Sequence, residues 1–275
     1  MKRRYIVILI IGLATWLCAC ETEMMGYEGE SGIYFMMQKP PASGYGDPEQ
    51  YEYVDTTLIP FAMFTAKDTV LPIRVRITGN VVDHDRYFTI RVVDTLTTAK
   101  AGEDYEPFEN SQVVKAGERQ AEIPCRIVWT EKLMQNPDTM IYLTVRLEES
   151  VDFKLPLKRW IPFGSIYGST DKVVNPLVHV IGINDQVVVP KQWAANYWGT
   201  FSPTKFKLVC VVLGLTMQDF EDYKTMNLNR SQTLAQNFDR YLKEEKAAGR
   251  TVMDKDAAGN EFEMTMGPLI CFIFK

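Results

Sequence analysis

The residue types that could transfer protons or bind a cation meet in one short segment, Asp83-His84-Asp85. An imidazole between two carboxylates could form a charge relay or contribute calcium ligands. No serine or cysteine nucleophile motif accompanies His84, and the other histidine, His179, lies in a predicted strand. We therefore interpret this segment as a solvated turn.

A second acidic segment begins at Asp254 and opens like an EF-hand loop. Its fifth position is Ala258 and its twelfth is Thr265, where calcium binding requires a bidentate glutamate. We interpret it as a hairpin turn. The sequence also has no glycine-rich phosphate loop, no Gly-x-Ser-x-Gly elbow and no Cys-x-x-Cys pair. We expect a protein that is not an enzyme, with no catalytic residues, no metal site and no cofactor.

The thiol with a clear predicted chemistry is Cys20. Basic residues at positions 2–4 precede an apolar run from Tyr5 that ends in Leu17-Cys18-Ala19-Cys20. This pattern resembles a bacterial lipoprotein signal, in which Cys20 becomes the diacylated first residue of the mature chain. Two acyl chains anchor a protein stably to a bilayer, whereas one binds only marginally.

The sequence therefore predicts a signal peptide over residues 1–19, lipidation at Cys20 and a flexible tether over residues 20–31. An ordinary secreted protein cut near Ala19 is one alternative. A permanent transmembrane anchor is the other, although the run is shorter than the ~20 apolar residues that a spanning helix needs.

The composition fits a folded, exported domain rather than a nucleic-acid-binding one. Hydrophobic residues make up 46% of the 275 residues, which is enough to bury a core. Loss of the three basic residues at positions 2–4 would take the net charge from −5 to −8. Such an acidic balance repels nucleic acid and anionic headgroups, so neither is an expected partner.

The cysteines beyond the signal are Cys125, Cys210 and Cys271. An odd, widely spaced set is neither a disulfide framework nor a zinc site. One bridge is possible, but each cysteine lies in an apolar, strand-like context. We interpret them as small buried hydrophobic residues.

Hydrophobic alternation with a period of two predicts strands over 33–37, 71–78, 86–94, 121–129, 140–148 and 177–183. A Gly-Glu-Asp-Tyr turn at 102–105 and a Gly-Glu turn at 117–118 lie between them. This arrangement resembles the closing half of a Calx-beta or related immunoglobulin-like domain. The resemblance implies an antiparallel β-sandwich, which we place at residues 32–185.

Some Calx-beta domains bind calcium through acidic loops, and here Glu103, Asp104 and Asp185 could be used for that purpose. The rest of the acidic cluster is missing from this sequence. A long irregular segment over 151–175 contains Trp160 and Tyr167, which could form an exposed aromatic platform for sugar rings. The alternative is that both side chains only cover the edge of the sandwich.

The segment after 190 predicts a smaller α+β domain, over 190–275. A linker at 190–195 precedes an apolar strand at 208–213, helices after Gly214, a hairpin and a final strand at 269–274. Ser231 is the predicted N-cap of a helix, and Gly249 is its predicted C-terminal stop. The motif Gly199-Thr-Phe-Ser-Pro-Thr-Lys-Phe, followed by the apolar run and Leu-Gly, resembles the C-terminal part of an uncharacterised family of Bacteroidetes outer-membrane lipoproteins. Early acidic residues, here Glu21 and Glu23, resemble a surface-export signal in such lipoproteins.

Members of that family are found beside a TonB-dependent (SusC-like) receptor and a SusD-like lipoprotein in nutrient-uptake loci. The resemblance thus implies an outer-membrane lipoprotein at the cell surface that binds a glycan or peptide or assists an importer. A structural or adhesive interaction protein is the first alternative. A hydrolase with unrecognised acidic residues is the second, because catalytic carboxylates can come from distant strands.

Overall fold

The computed structural model describes residues 29–39, 51–136, 139–161, 173–256 and 259–271. Cys20 and Tyr167 lie outside these ranges. The strands are β1 (Gly32–Phe35), β2 (Gln38–Lys39), β3 (Glu52–Tyr53), β4 (Thr56–Pro60), β5 (Asp68–Thr78), β6 (Arg86–Val92), β7 (Ser111–Val114), β8 (Gln120–Val128), β9 (Ile141–Glu148), β10 (Val178–Asn184), β11 (Met253–Lys255) and β12 (Glu261–Glu263). The α-helices are α1 (Glu131–Gln135), α2 (Ala195–Trp198), α3 (Pro203–Leu213), α4 (Leu228–Ala247) and α5 (Pro268–Cys271).

Two sheets form the N-terminal sandwich. Within the described residues, the larger sheet has the order β4-β10-β9-β6-β7 and the smaller sheet the order β1-β5-β8. The apolar inner faces of both sheets belong to one core cluster. The predicted sandwich is confirmed, with one correction: β10 and β4 run parallel, whereas the other pairs in these two sheets are antiparallel.

Strand β5 shows why the alternating sequence forms a sheet. Ile73, Val75 and Ile77 are buried, while Arg74 is exposed on the opposite face. Ile73 lies directly opposite Ile123 of β8. Burial of each such side chain contributes about 1.5–3 kcal/mol, and a shift by one residue would turn the apolar row towards water.

The C-terminal segment has a second hydrophobic core, built largely from aromatic rings. Trp198, Phe206, Phe220 and Phe238 are fully buried in it. Trp193 stacks on Trp198 with ring centroids 5.6 Å apart. The predicted linker at 190–195 is therefore wrong at Trp193, which packs in this core.

The apolar run 208–213 is helical, not the predicted strand. Ser202 caps helix α3 by accepting a hydrogen bond from the backbone N–H of Lys205, Pro203 occupies the first turn, and Gly214 ends the helix in the left-handed conformation with φ +64°. An apolar run of six residues suits either structure, and here the cap and the C-terminal glycine favour the helix.

Two further predictions near the C-terminus need correction. Residues 268–271 form helix α5 with a proline at its start, whereas a strand was expected from 269. Asn227, not Ser231, is the N-cap of helix α4. Ser231 is buried and accepts a hydrogen bond from Trp198 Nε1 at 2.6 Å. The predicted stop at Gly249 is confirmed, because this residue follows the helix with φ +76°.

A short 3₁₀ segment, Phe61–Met63, joins the two cores. Phe61 is buried in the sandwich core and Met63 in the C-terminal core. Phe64 packs against both clusters. The connection after β4 thus contributes side chains to both hydrophobic cores.

Candidate functional site

Trp160 lies on an extended segment between β9 and β10. Its backbone N–H donates to the carbonyl of Val174 at 3.0 Å, and the Val174 N–H donates back at 2.8 Å. The indole is half-buried and meets the ring of Tyr53 at 4.9 Å and that of Tyr34 at 5.9 Å, both edge-on. We call these three residues the aromatic cluster.

Tyr53 places a buried hydroxyl within the aromatic cluster. The residue is 7% exposed, and its hydroxyl has no hydrogen-bond partner among the described residues. Burial, with the charge of Asp55 and the neighbouring Tyr34 adding to it, raises the pKa of Tyr53. The phenol is therefore neutral at ordinary pH, and its hydroxyl is covered by the surrounding protein.

The residues that contact Trp160 in the structure differ from the partner predicted from the sequence. The sequence paired Trp160 with Tyr167, which lies outside the described residues. Tyr34 and Tyr53, distant in the chain, are the rings that contact Trp160. Tyr53 is buried and packs against Trp160. The alternation of β1 could have identified Tyr34, because this residue lies between the buried Ile33 and Phe35 and must face outward.

A buried histidine lies on the inner face of the larger sheet near this cluster. His179 Nε2 lies 2.9 Å from Thr57 Oγ1, and its ring packs 6.1 Å from that of Phe35. Burial, partly opposed by Asp55, lowers the pKa of His179 to about 4. The imidazole is therefore neutral at pH 7, and its Nδ1 has no partner among the described residues.

The acidic residues considered for calcium bind a lysine. Lys132 Nζ lies 3.0 Å from Glu103 and 2.7 Å from Asp104. The hydrogen bond from Lys132 holds the pKa of Glu103 below its ordinary value. Asp185, which follows β10, is not part of this contact. Across the ranges that the structure covers, no group of three or more His, Cys, Asp or Glu side chains could hold a metal ion.

The two other acidic segments have structural roles. His84 is exposed and lies 3.2 Å from Asp83, while Asp85 binds Lys115 at 2.7 Å, so the predicted solvated turn is confirmed. Asp254 starts no EF-hand loop. It is buried in β11 of the β11–β12 hairpin, as the hairpin interpretation predicts.

Ser202 and Lys205 at the start of α3 have the Ser-x-x-Lys spacing of some acyl enzymes, which the sequence reasoning missed. Ser202 Oγ donates to Asp254 Oδ1 at 2.6 Å, and Lys205 Nζ donates to the Thr200 carbonyl at 2.9 Å. Both residues are buried, and burial lowers the pKa of Lys205. The arrangement fastens helix α3 to the hairpin and presents no exposed nucleophile.

Cys125 and Cys210 are free and buried, as predicted for small hydrophobic residues. Burial raises the pKa of Cys125 to about 12 and that of Cys210 to about 11, so both thiols are inert near neutral pH. Cys210 lies in helix α3, not in a strand. Among the helices that the structure describes, none is long and apolar enough to cross a bilayer.

A family model described as a domain of unknown function, DUF4843, matches residues 27–215. The chain belongs to this family. The match includes the sandwich, the aromatic cluster and the start of α3 with Ser202 and Lys205. The predicted uncharacterised family is confirmed at this level, and the family description assigns no activity. The comparison with curated proteins gives no match.

Solved structures with some likeness include the apo form of the Calx CBD1 domain, at 14% identity and a TM-score of 0.34, covering 58% of this chain and 100% of that one. A protein from Bacteroides ovatus ATCC 8483, for which carbohydrate binding has been suggested, matches at 8% identity and a TM-score of 0.34, covering 58% of this chain and 38% of that one. A Bacteroides ovatus protein of unknown function matches at 13% identity and a TM-score of 0.33, covering 55% and 43%. This chain thus spans less than half of either Bacteroides chain.

Proposed function

We propose that this chain is a non-catalytic binding protein, anchored by lipid at the cell surface, that holds an extracellular glycan against its aromatic cluster. The observation that supports the proposal is the half-buried Trp160 ring, packed edge-on against Tyr34 and Tyr53. Tyr53 is buried and supports the Trp160 ring from beneath, with ring centroids 4.9 Å apart.

The chemistry of the cluster favours a sugar ring. The CH faces of sugars stack on aromatic faces, and the hydroxyls at the ring edge need nearby hydrogen-bonding groups such as a phenol. Trp160 is fixed by two neighbouring rings and by backbone hydrogen bonds, so binding would immobilise little side-chain freedom.

The setting that we propose is an outer-membrane nutrient-uptake system. There the protein would assist a TonB-dependent receptor and a SusD-like lipoprotein. Lipidation at Cys20 would hold it at the membrane, and a twelve-residue tether over 20–31 would span up to about 40 Å when extended.

The glycan proposal can be tested by electrophoresis of the full chain, in detergent, through gels that contain different polysaccharides. We expect at least one polysaccharide to retard the protein. Trp160→Ala should then weaken binding about tenfold, which corresponds to about 1.4 kcal/mol. Phe262→Ala removes an exposed ring of the hairpin and serves as the matched control.

Thermal unfolding of each variant shows whether the fold is kept. Equal migration of the wild type and Trp160→Ala in every gel would contradict the proposed function. Retardation by immobilised peptides but not by polysaccharides would reassign the ligand class.

A further inference from the structure

The outer face of the larger sheet carries a charge pattern that the aromatic cluster does not explain. Among the described strands of this sheet, the residues that alternate with the buried core positions point outward: Leu58, Tyr87, Thr89, Arg91, Ser111, Val113, Tyr142, Thr144, Arg146, Glu148, Val178, Val180 and Gly182. The charged side chains in this set are two arginines and one glutamate. The chain as a whole has a net charge of −5, so the face is locally positive on an acidic protein.

The two arginines lie directly opposite each other. Arg91 of β6 and Arg146 of β9 are register partners, an arrangement in which like charges repel. Glu148 bridges them, at 2.6 Å from Arg91 Nε and 2.8 Å from Arg146 Nη2. A guanidinium has five N–H donors, so one carboxylate cannot satisfy both groups. Both arginine side chains are 53% exposed, which leaves the pair accessible to an anion.

Exposed tyrosines flank the arginine pair along the strands. Tyr142 precedes Arg146 by four residues on β9, and Tyr87 precedes Arg91 by four residues on β6; they are 41% and 55% exposed. Because β6 and β9 are antiparallel, the tyrosines lie on opposite sides of the pair. Each is about 13 Å from it along the strand. We call this row the tyrosine–arginine track.

A neighbouring segment covers the track at Thr144, which is buried, and leaves the tyrosines and arginines exposed. The hydroxyl of Thr144 donates to the carbonyl of Leu96 at 3.0 Å, and the side chain of Leu96 is exposed. Leu58, also exposed, lies at the Tyr142 end. At the other end, the carboxylate of Asp152 accepts a hydrogen bond from the backbone N–H of Tyr87 at 2.7 Å.

We infer that the tyrosine–arginine track binds an acidic polysaccharide, with sugar rings on Tyr87 and Tyr142 and a sugar carboxylate on Arg91 and Arg146. Planar guanidinium groups bind carboxylates through paired N–H donors, and the tyrosine faces suit the apolar faces of sugar rings. Single-stranded nucleic acid uses similar groups, so an oligonucleotide is included in the test below.

This site goes beyond the proposed function and does not depend on it. The track belongs to the outer face of the larger sheet, whereas the aromatic cluster contains Tyr34 of the smaller sheet. Each can therefore be disabled without the other. Loss of polysaccharide binding in Trp160→Ala alone tests the cluster, and loss in the arginine variants alone tests the track.

The test is affinity electrophoresis of the full chain, in detergent, with polygalacturonate and with its fully methyl-esterified form, which keeps the sugar backbone but removes the charge. We expect the protein to bind polygalacturonate at least tenfold more tightly than the ester. Arg91→Gln combined with Arg146→Gln should abolish this difference. Arg74→Gln removes one charge from an exposed ion pair on the smaller sheet and should change the affinity less than twofold.

Four outcomes would overturn the inference. These are equal binding of polygalacturonate and its ester, no binding of either, an equal loss in Arg74→Gln, and binding of oligodeoxythymidine or dextran sulfate as tight as that of polygalacturonate. Tyr87→Ala and Tyr142→Ala should weaken binding of both the acid and the ester. An effect of these variants on neither polymer would remove the tyrosines from the site.

Discussion

His179 is a buried base inside an apolar core, and its surroundings make its protonation costly. Its ring packs against Phe35, and Nε2 lies 2.9 Å from Thr57 Oγ1. An imidazolium here would be a desolvated charge, with only the influence of Asp55 to compensate it. The residue therefore links the stability of the sandwich to pH.

We predict that acid lowers the stability of the protein through His179. The folded-state pKa is about 4 and the ordinary value is 6.5, so the unfolded chain binds the proton first as pH falls. The contribution of His179 is fully present above about pH 6.5 and is lost between pH 6.5 and 4. By pH 5 the loss should amount to about 2 kcal/mol of the free energy of unfolding.

Urea unfolding at pH 7.5 and pH 5 measures this effect, and His179→Asn provides the comparison. Asparagine can still hydrogen-bond Thr57 but takes up no proton. The wild type should lose about 2 kcal/mol more than the variant between the two pH values. Parallel losses would show that His179 is not held neutral in the fold.

At the level of secondary structure, the start of helix α3 combines a cap with a buried contact between elements. Ser202 Oγ accepts from Lys205 N at 2.9 Å and donates to Asp254 Oδ1 at 2.6 Å. Asp254 is almost fully buried, and its other oxygen has no partner among the described residues. The Ser202 hydroxyl thus pairs with a backbone N–H in the first turn of α3 and also hydrogen-bonds a buried carboxylate.

We predict that Ser202→Ala costs roughly 2–4 kcal/mol of unfolding free energy. The lost cap contributes about 1 kcal/mol. The lost hydrogen bond to the buried Asp254, whose Oδ1 keeps only the backbone N–H of Lys255 at 2.9 Å, contributes about 1–3 kcal/mol. Asn227→Ala at helix α4 is the matched control, because Asn227 only accepts from Arg230 N, at 3.0 Å. It should cost about 1 kcal/mol. Equal losses in urea unfolding would mean that the contact with Asp254 adds nothing.

For the whole molecule, the two hydrophobic cores are linked through the 3₁₀ segment after β4, where Phe61 and Met63 enter different cores. A ligand held on the sandwich would therefore be held by a body that includes the C-terminal helices. We expect the position of this body in the cell to depend on one residue, Cys20.

We predict that Cys20→Ala abolishes fatty-acid labelling and moves the protein out of the tightly membrane-bound fraction. Without the thiol there is no acceptor for the acyl chains, and stable anchoring needs two of them. Metabolic labelling with palmitate, followed by membrane fractionation, measures both effects. Cys18→Ala is the control and should keep the label. Continued labelling of Cys20→Ala would show that another residue accepts the lipid.

The sequence by itself predicted six of the eight strands that the structure describes in the two sandwich sheets, and missed β4 and β7. Period-two alternation, as in β5 and β9, reflects one face in the core and one in water, and this requirement is local to each strand. It also predicted that Cys125 is a small buried hydrophobic residue and that His84 lies in a solvated turn. It was wrong for 208–213, because a short apolar run fits a buried strand and a buried helix equally well.

Only the tertiary structure decided which distant residues meet. Tyr34 and Tyr53 reach Trp160 through the packing of separate segments, and Arg91 faces Arg146 only in the register that β6 and β9 adopt. Register depends on matching two apolar faces across the core, so neither strand contains that information alone. Both proposed binding surfaces therefore follow from pairings between segments far apart in the chain, whereas the predicted anchor at Cys20 depends on one contiguous stretch.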